Sequence, residues 1–419
     1  MMRSEKSTTA ALAISIAWLF YLFSYISRAE PCVLVNELIN DFHITSATVG
    51  FIVSCVYLTY VPMQIPAGII ADKLGVKTVL VASSLICSLG AFIFGSGSSI
   101  FQLEIGRLLI GMASAPAFLC CGKVAAEYFD KKQVGMLMGV SMVMGCLGGI
   151  FGTSPVAFLS SHIGWRGATY VIASVGILTA ILAFLCIKSS KPKETSSIKE
   201  QEHSIMDGIK TMAKNPKFWL LGFYGAMSYL PLSALAELWG VPFMELRFGV
   251  STEKAAISSI VIFIGFGLGG VISAMVAEKI NSYKKTIIIF TLGLSISFGL
   301  SFYSDMIGFN ACLLLMFLGG TFAGANTLCF AIAFSLVPKK FIGTAGGFTN
   351  MLIMTSGIIF QPLLGKLLDF FRNGKVTPDG TPIYDIPMYR SAFMFVIVGM
   401  VAATIATFFI NDLKHQEEK

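Results

Sequence analysis

Five ionisable side chains stand inside long apolar stretches of the sequence, where a buried charge is costly. They are Arg28, Glu30, Glu104, Arg107 and Glu237. Ionisable residues at membrane depth are functional candidates by default, and an arginine can bind a carboxylate or a phosphate through two parallel hydrogen bonds. One cation with one or two carboxylates suits a zwitterionic amino acid, and it equally suits an anion carried together with a proton.

Arg28 is the first candidate for binding a substrate. It lies roughly 24 Å along an apolar helix at 1.5 Å per residue, near or just beyond the middle of a membrane. The alternative is that Arg28 snorkels to the interface or pairs with a neighbour. Glu30 lies about 200° further round the helix, so it faces another direction unless Pro31 distorts the turn.

The other three charges have two interpretations each. Glu104 and Arg107 are three residues apart, so they share a helix face and form either a structural pair or part of a proton-coupling site. Glu237 follows Pro231, and it is either a coupling or amine-binding carboxylate or a charge at the membrane interface. The proton-coupling candidates are therefore Glu30, Glu104, Arg107 and Glu237.

Uncharged polar residues in the apolar stretches are candidates for contacting a polar substrate, because buried polar groups need partners. For any one of them, a helix–helix hydrogen bond of about 0.6 kcal/mol is the alternative. The set comprises Tyr21, Tyr25, Tyr57, Tyr60, Gln64, Asn326, Asn350 and Gln361. Beside Arg28, the predicted substrate contacts are Tyr25, Tyr57, Gln64, Asn326 and Asn350. The four histidines show no metal-ligand spacing, so we predict no metal site. We also expect no cofactor.

The composition indicates that lipid surrounds these segments. Of 419 residues, 55% are hydrophobic and 13% are charged, about half of the roughly 25% charged in ordinary soluble domains. This excludes a disordered chain, a nucleic-acid binder and a set of soluble domains. The net charge of +7 reflects lysines and arginines in cytoplasmic loops rather than acidic partners. Since a membrane-spanning helix takes roughly 20 residues, the chain has room for about twelve.

Apolar runs bounded by charged residues, Gly or Pro divide the sequence into six segments, a polar linker and six more. The first six are predicted at 11–39, 46–71, 77–97, 100–128, 133–160 and 166–187, followed by the linker at 188–215. The last six are predicted at 216–246, 252–278, 285–303, 308–337, 342–371 and 388–411. We expect an all-α membrane protein with twelve transmembrane helices in two six-helix bundles, 1–187 and 216–419.

Lysines gather in every second loop, which the positive-inside rule places in the cytoplasm. These loop lysines are Lys73, Lys77, Lys131, Lys132, Lys279, Lys284, Lys285, Lys339 and Lys340. The linker is also rich in lysine, whereas the loops between spans one and two, three and four, and nine and ten contain no lysine or arginine. We therefore expect both termini and the linker in the cytoplasm.

The two halves of the sequence repeat each other. A shift of 208 residues places Gly111 on Gly319 and Cys121 on Cys329, and a shift of 206 lays the ADK triplet at 71–73 on the AEK triplet at 277–279. Two parallel repeats of six spans are typical of secondary transporters, in which the substrate sits between the halves and the bundles rock around it.

The loop between spans two and three, residues 68–78, reads G-I-I-A-D-K-L-G-V-K-T. It closely resembles the signature of the major facilitator superfamily, G-x-x-x-D-R/K-x-G-R/K-R/K, with Val76 as the one departure. The matching residues are Gly68, Asp72, Lys73, Gly75 and Lys77. A tight turn favours glycine, and a carboxylate can interact with a helix N-terminus. The resemblance implies a conformational-switch motif that braces the bundles in one state of the cycle.

Spans four and five bear on the subfamily. In span four, Arg107 precedes Gly111 by four residues, which resembles the span-four pattern of the same superfamily. Drug/proton antiporters of this superfamily carry a Gly-Pro pair in span five. Span five here has the glycines but no Gly-Pro pair, which disfavours drug efflux.

A narrower resemblance covers residues 25–75. The patterns Y-x-x-R-x-x-P in span one and Y-x-P-M-Q-I-P-x-G in span two are similar to the phagosomal nutrient transporter family of intracellular bacteria. Related anion and sugar-phosphate transporters share the arginine and the Gln-x-Pro-x-Gly part. This resemblance implies uptake of small nutrients across the inner membrane.

We therefore predict a secondary active transporter that moves a small polar metabolite, such as an amino acid, by alternating access and proton-coupled uptake. The alternatives are an organic anion or carboxylate transporter, including siderophore-like substrates, and an efflux antiporter. The sequence shows neither the nucleophile–base pair nor the metal cluster of a membrane enzyme, and its short tails leave no room for the soluble domain of a sensor. The expected partners are a small-molecule substrate, protons and the bilayer of a bacterial inner membrane, with the protein as a monomer.

Overall fold

The computed structural model describes residues 2–187, 205–338, 341–378 and 380–410. Most of the predicted linker (188–204) lies outside these residues, as do Lys339 and Lys340. Within the described ranges the chain is helical almost throughout, and its extended pairing is one isolated bridge between Val376 and Pro382. The prediction of an all-α fold is confirmed.

The helices before the linker begin with α1 (Met2–Ala29), a 3-10 helix (Glu30–Val33), α2 (Val35–Phe42) and α3 (Ser46–Gly95). They continue with α4 (Ile100–Ser114), α5 (Ala117–Tyr128), α6 (Lys131–Phe151) and α7 (Ser154–Cys186). Beyond the linker, residues 205–213 form α8.

The helices after the linker begin with α9 (Pro216–Ser228), a π-helix (Pro231–Trp239), α10 (Gly240–Phe248), α11 (Thr252–Ala255), α12 (Ile257–Ile280) and α13 (Tyr283–Tyr303). They continue with α14 (Phe309–Ala323), a 3-10 helix (Gly324–Thr327), α15 (Leu328–Ser335), α16 (Ile342–Arg372) and α17 (Ile386–Thr407).

Ten helical segments of the described chain are long and apolar enough to cross a membrane, and two of them are long enough to cross twice. Ser46–Gly95 has 50 residues and Lys132–Cys186 has 55. Fifty helical residues extend about 75 Å, against a hydrocarbon core of about 30 Å. The two segments break at Gly75 and Gly164, where φ is 78° and 74°, a backbone region that glycine adopts without strain. The prediction of twelve transmembrane helices is therefore confirmed.

Several crossings are also interrupted along their length. Span four stops at Ser114 and resumes at Ala117 after Pro116, and span ten is interrupted by the 3-10 helix that starts at Gly324. The shift of 208 residues found in the sequence places Pro116 on Gly324. Spans four and ten are therefore interrupted at equivalent positions of the repeat, which supports the internal duplication.

The chain divides into two compact units. Unit 1 contains Met1–Glu30 and Cys55–Ser204, and unit 2 contains Pro31–Ser54 and Ile205–Lys419. The segment Pro31–Ser54 therefore belongs with helices from the second half of the sequence, although it precedes most of the first. The division of the sequence into bundles 1–187 and 216–419 remains a prediction.

In unit 1, a row of glycines sets the position of α1. Gly145 and Gly148 of α6, and Gly152 directly after it, face α1, and a Cβ atom at any of them would meet α1 atoms closely. At Gly148 and Gly152 the facing atoms include the carbonyl oxygens of Leu22 and Ile26. Small residues at this spacing allow helices to approach closely in lipid, so α6 holds α1 and its polar residues in place.

Candidate functional site

Arg28 lies in a cage of tyrosines in unit 1. The side chain is 2% exposed. Its guanidinium carbon lies 3.9 Å from the ring centroid of Tyr25, 5.5 Å from that of Tyr57 and 5.6 Å from that of Tyr60. A cation over an aromatic face within about 6 Å is attracted by the ring quadrupole. The structure thus brings together three of the predicted substrate contacts, Arg28, Tyr25 and Tyr57, and adds Tyr60.

The cage is built from one face of each of two helices. On α1, Tyr21 stands one turn before Tyr25, and their rings meet edge to face at 5.3 Å. On α3, Tyr57 and Tyr60 are followed by Gln64, and residues at i, i+3 and i+7 share a helix face. The amide nitrogen of Gln64 is buried, and no described protein group accepts a hydrogen bond from it. Gln64 is therefore a donor one turn beyond the cage.

Arg107 supports the end of α1. Its two terminal nitrogens donate hydrogen bonds to the carbonyl oxygens of Ser27 at 2.6 Å and Arg28 at 3.2 Å. In a continuous helix the donor to Ser27 would be the N–H of residue 31, but Pro31 has none. Arg107 therefore satisfies carbonyl groups at the break in span one. Glu104, its predicted structural partner, is half-buried on the same helix, and their pairing remains a prediction.

Glu30 is the first residue of the 3-10 helix after α1, and it is 0% exposed. The hydroxyl group of Thr169, on α7, lies within hydrogen-bond distance of the Oε1 atom of Glu30 and 2.9 Å from the carbonyl oxygen of Trp165. The Oε2 atom of Glu30 is buried, and no described protein group donates a hydrogen bond to it. Sequence reasoning missed Thr169, because a threonine in an apolar helix carries no distinctive signal.

A second buried carboxylate, Glu237, lies in the π-helix of unit 2 and is fully buried. Its role as a coupling or amine-binding carboxylate remains a prediction. A shift of 207 residues, between the two shifts that align the repeat, places Glu30 on Glu237. Interrupted helices at corresponding positions of two repeats are a pointer to the binding region of a transporter.

Polar bonds tie the π-helix to α16. The indole nitrogen of Trp239 donates to the carbonyl oxygen of Gln361 at 3.1 Å, and the amide nitrogen of Gln361 donates to the carbonyl oxygen of Ser233 at 2.7 Å. The hydroxyl group of Ser356 lies 3.0 Å from that of Ser233. These bonds hold the irregular backbone around Glu237.

Two predicted substrate contacts, Asn326 and Asn350, belong to unit 2, whereas the tyrosine cage belongs to unit 1. The amide nitrogen of Asn326 donates to the carbonyl oxygen of Gly225 at 2.7 Å and to the hydroxyl group of Ser228 at 2.9 Å. Asn326 thus joins the interrupted part of span ten to α9. This is the helix–helix hydrogen bond given above as the alternative to a substrate contact. Asn350 is half-buried on α16.

The conformational-switch motif forms contacts inside unit 1. The carboxylate of Asp72 pairs with the ammonium of Lys123 at 2.6 Å, and the same ammonium lies 3.4 Å from the carbonyl oxygen of Gly68. The ammonium of Lys77 lies 5.0 Å from the ring centroid of Phe184. Lys73 is exposed, and Gly75 forms the turn. Lys123 is thus one partner of Asp72, and bracing of the two bundles remains a prediction.

Twelve crossings, repeated helix breaks and charged groups buried beside them define a secondary transporter. Residues 17–362 match the profile of the Major Facilitator Superfamily, and the chain belongs to this family. The resemblance seen in the loop between spans two and three is therefore confirmed.

Two curated relatives and one solved structure are similar along nearly the whole length. The probable sulfoacetate transporter SauU of Cupriavidus necator is 24% identical, over 98% of this chain and 95% of the relative. The probable galactarate/D-glucarate transporter GudP of Escherichia coli is 25% identical, over 87% of this chain and 88% of the relative. The crystal structure of a bacterial homologue of the human lysosomal transporter Spinster matches with a TM-score of 0.77 at 16% identity, over 96% of this chain and 97% of that chain. At this identity the match shows the fold alone.

Proposed function

We propose that this transporter carries a small organic anion with a carboxylate or sulfonate group, and that Arg28 binds the anionic group. The single observation that carries the proposal is the buried Arg28 in its tyrosine cage. The relatives support it, since sulfoacetate, galactarate and D-glucarate are all organic acids. They favour the anion alternative of the sequence analysis over amino-acid uptake.

The cage suits an anion for electrostatic reasons. A guanidinium removed from water gains most from a partner that brings a negative charge and accepts two parallel hydrogen bonds. The rings of Tyr25, Tyr57 and Tyr60 surround the guanidinium of Arg28 and attract its positive charge. Phenol hydroxyls can both donate and accept hydrogen bonds. A substrate with an anionic end and hydroxyl groups therefore matches the side chains of this region, with Gln64 as a further donor.

The substrate is taken up by alternating access, and an inward proton gradient drives its accumulation. One of the buried carboxylates carries the proton. Asp72 exchanges partners as the cytoplasmic side opens and closes.

The test is uptake into proteoliposomes. The panel contains sulfoacetate, D-glucarate, L-glutamine and uridine, each with and without an inward proton gradient. We expect saturable uptake of at least one of the two acids, stimulated by the gradient. Uptake restricted to L-glutamine or uridine would overturn the anion assignment.

Variants of Arg28 identify the binding group. Hydrogen bonds to a charged group contribute about 1.5 to 3 kcal/mol each, so loss of two in Arg28→Ala should weaken apparent affinity on the order of 100-fold or more. Arg28→Lys keeps the charge but loses the two parallel hydrogen bonds, so its apparent affinity should lie between those of wild type and Arg28→Ala. Arg390→Lys is the control, because Arg390 pairs with the exposed Asp305. Unchanged affinity in Arg28→Ala would refute the assignment.

A further inference from the structure

The hydroxyl group of Thr169 lies between two oxygen atoms. One is the Oε1 atom of Glu30 and the other is the carbonyl oxygen of Trp165, at 2.9 Å. A threonine hydroxyl has one hydrogen to donate, and a backbone carbonyl can only accept. If Glu30 were ionised, Thr169 could donate to only one of its two neighbours, and the other contact would join two oxygens with no hydrogen between them.

A protonated Glu30 removes this conflict. Its carboxyl group donates to Thr169, and Thr169 donates to Trp165 by the common bond of a helical threonine to the carbonyl four residues earlier. An ionised Glu30 would also leave Oε2 buried without a described protein donor, which costs far more for a carboxylate than for a neutral acid. We infer that Glu30 is protonated in this conformation and is the carboxyl group that carries the transported proton, an inference that rests on the proposed transport function.

Two titratable groups on neighbouring elements interact electrostatically with Glu30. They are Arg107 on α4 and Cys87 on α3. Arg107 holds the carbonyl oxygens of Ser27 and Arg28. When Glu30 loses its proton, its carboxylate attracts the guanidinium of Arg107 and competes with those carbonyl oxygens.

This competition connects the proton to the substrate. In one state Arg107 holds the backbone of Arg28, and in the other it neutralises Glu30. The end of α1 is therefore a two-state element whose equilibrium responds both to proton loss at Glu30 and to an anion at Arg28.

The transport test uses Glu30→Gln, whose amide can still donate to Thr169. With sulfoacetate and D-glucarate as probes, we expect Glu30→Gln to lose accumulation against the substrate gradient. Its uptake with an inward proton gradient should then equal its uptake without one. Exchange of labelled for unlabelled substrate at equal concentrations should stay within about twofold of wild type, since it moves no net proton. Glu127→Gln, an exposed carboxyl on α5, should leave both unchanged. Accumulation retained in Glu30→Gln, or lost only in Glu237→Gln, would overturn the inference.

A spectroscopic test does not depend on transport. Infrared spectra of the purified protein should show the carbonyl stretch of a protonated buried carboxyl group, and this band should be missing in Glu30→Gln. Thr169→Val should keep the band but shift it to the frequency of a more weakly hydrogen-bonded carboxyl group. If Glu30→Gln does not fold, this shift in Thr169→Val is the test. A band that persists unchanged in both variants would refute the inference. A band that behaves as expected, without transport of either acid, would instead refute the proposed function.

Discussion

Pro31 and Arg107 complement each other at the end of α1. Pro31 removes the N–H that would bond to Ser27, and Arg107 supplies a donor from another helix at 2.6 Å. In lipid, an unsatisfied backbone carbonyl costs several kcal/mol, so a proline in a membrane helix is tolerated where neighbours satisfy the freed groups. Arg107 therefore stabilises the irregular segment that presents Arg28 and Glu30.

This pairing predicts a coupling between two substitutions. Arg107→Leu should lower the free energy of unfolding by about 2 to 3 kcal/mol, the cost of leaving a buried carbonyl without a donor. In a Pro31→Ala background the loss should be smaller by about 1 kcal/mol, because the N–H of residue 31 can then bond to Ser27. Unfolding of the four proteins in detergent gives the double-mutant cycle. Additive effects would show that Arg107 does not replace this bond.

The residues of the site were predictable from sequence to different degrees. Arg28 and Tyr25 stand one turn apart on one helix, so their contact follows from helix periodicity. Glu30 contacts Thr169, which lies 139 residues away in the sequence. Asp72 pairs with Lys123, which lies 51 residues away. Such contacts depend on which helices pack together, and a single sequence carries no local signal for that.

At the scale of elements, the start of α3 is held by groups from elsewhere in unit 2. The backbone N–H of Ala47 donates to the carboxylate of Asp369 at 2.9 Å. The hydroxyl of Tyr384 donates to the same carboxylate at 2.5 Å and accepts from the N–H of Ser46 at 2.9 Å. The first N–H groups of a helix have no partner within it, so Asp369 and Tyr384 cap α3 and fix it to α16.

This cap predicts a stability difference in alkaline solution. Burial, and next the hydrogen bond to Asp369, raise the pKa of Tyr384 from 10.0 to about 12. Above about pH 10 the unfolded chain loses the proton that the folded protein keeps, so the contribution of Tyr384 to stability decreases up to about pH 12. Tyr384→Phe should lose stability less steeply than wild type over this range, measured by unfolding at a series of pH values. Parallel curves would contradict the role of Tyr384.

The lengths of the elements were largely predictable, and their interruptions were not. Span twelve is predicted at 388–411 and observed at Ile386–Thr407, since the apolar run itself marks the crossing. The π-helix at Pro231–Trp239 was not predicted. Whether a proline bends, breaks or widens a helix depends on which neighbouring groups satisfy the freed carbonyls, and these groups come from distant segments.

At the scale of the whole molecule, the polypeptide passes from unit 1 to unit 2 at the bond between Glu30 and Pro31, and it returns at the bond between Ser54 and Cys55. The sequence suggests a single division at the polar linker, because composition changes only there. A segment that leaves one unit and packs with the other has the same apolar character as its neighbours, so the sequence does not mark it.

The lysine pattern predicts the orientation of the whole chain. The loops with Lys73 and Lys77, and with Lys279, Lys284 and Lys285, should lie in the cytoplasm together with both termini. Alkaline phosphatase fusions in a bacterial host should be inactive after Lys77 and after Lys284, and active after Asp41 and after Asp305. Activity after Lys77 would reverse the orientation.

The hydrogen-bond chain from Glu30 through Thr169 ends at the carbonyl oxygen of Trp165. A backbone carbonyl has no proton to donate, so protons cannot be relayed to or from Glu30 through Thr169. The proton on Oε1 therefore leaves Glu30 on the side of Oε2, after the carboxyl group rotates. Protonation at this site is therefore one-sided, and the rate at which Glu30 exchanges with solvent should depend on whichever conformation opens Oε2 to water.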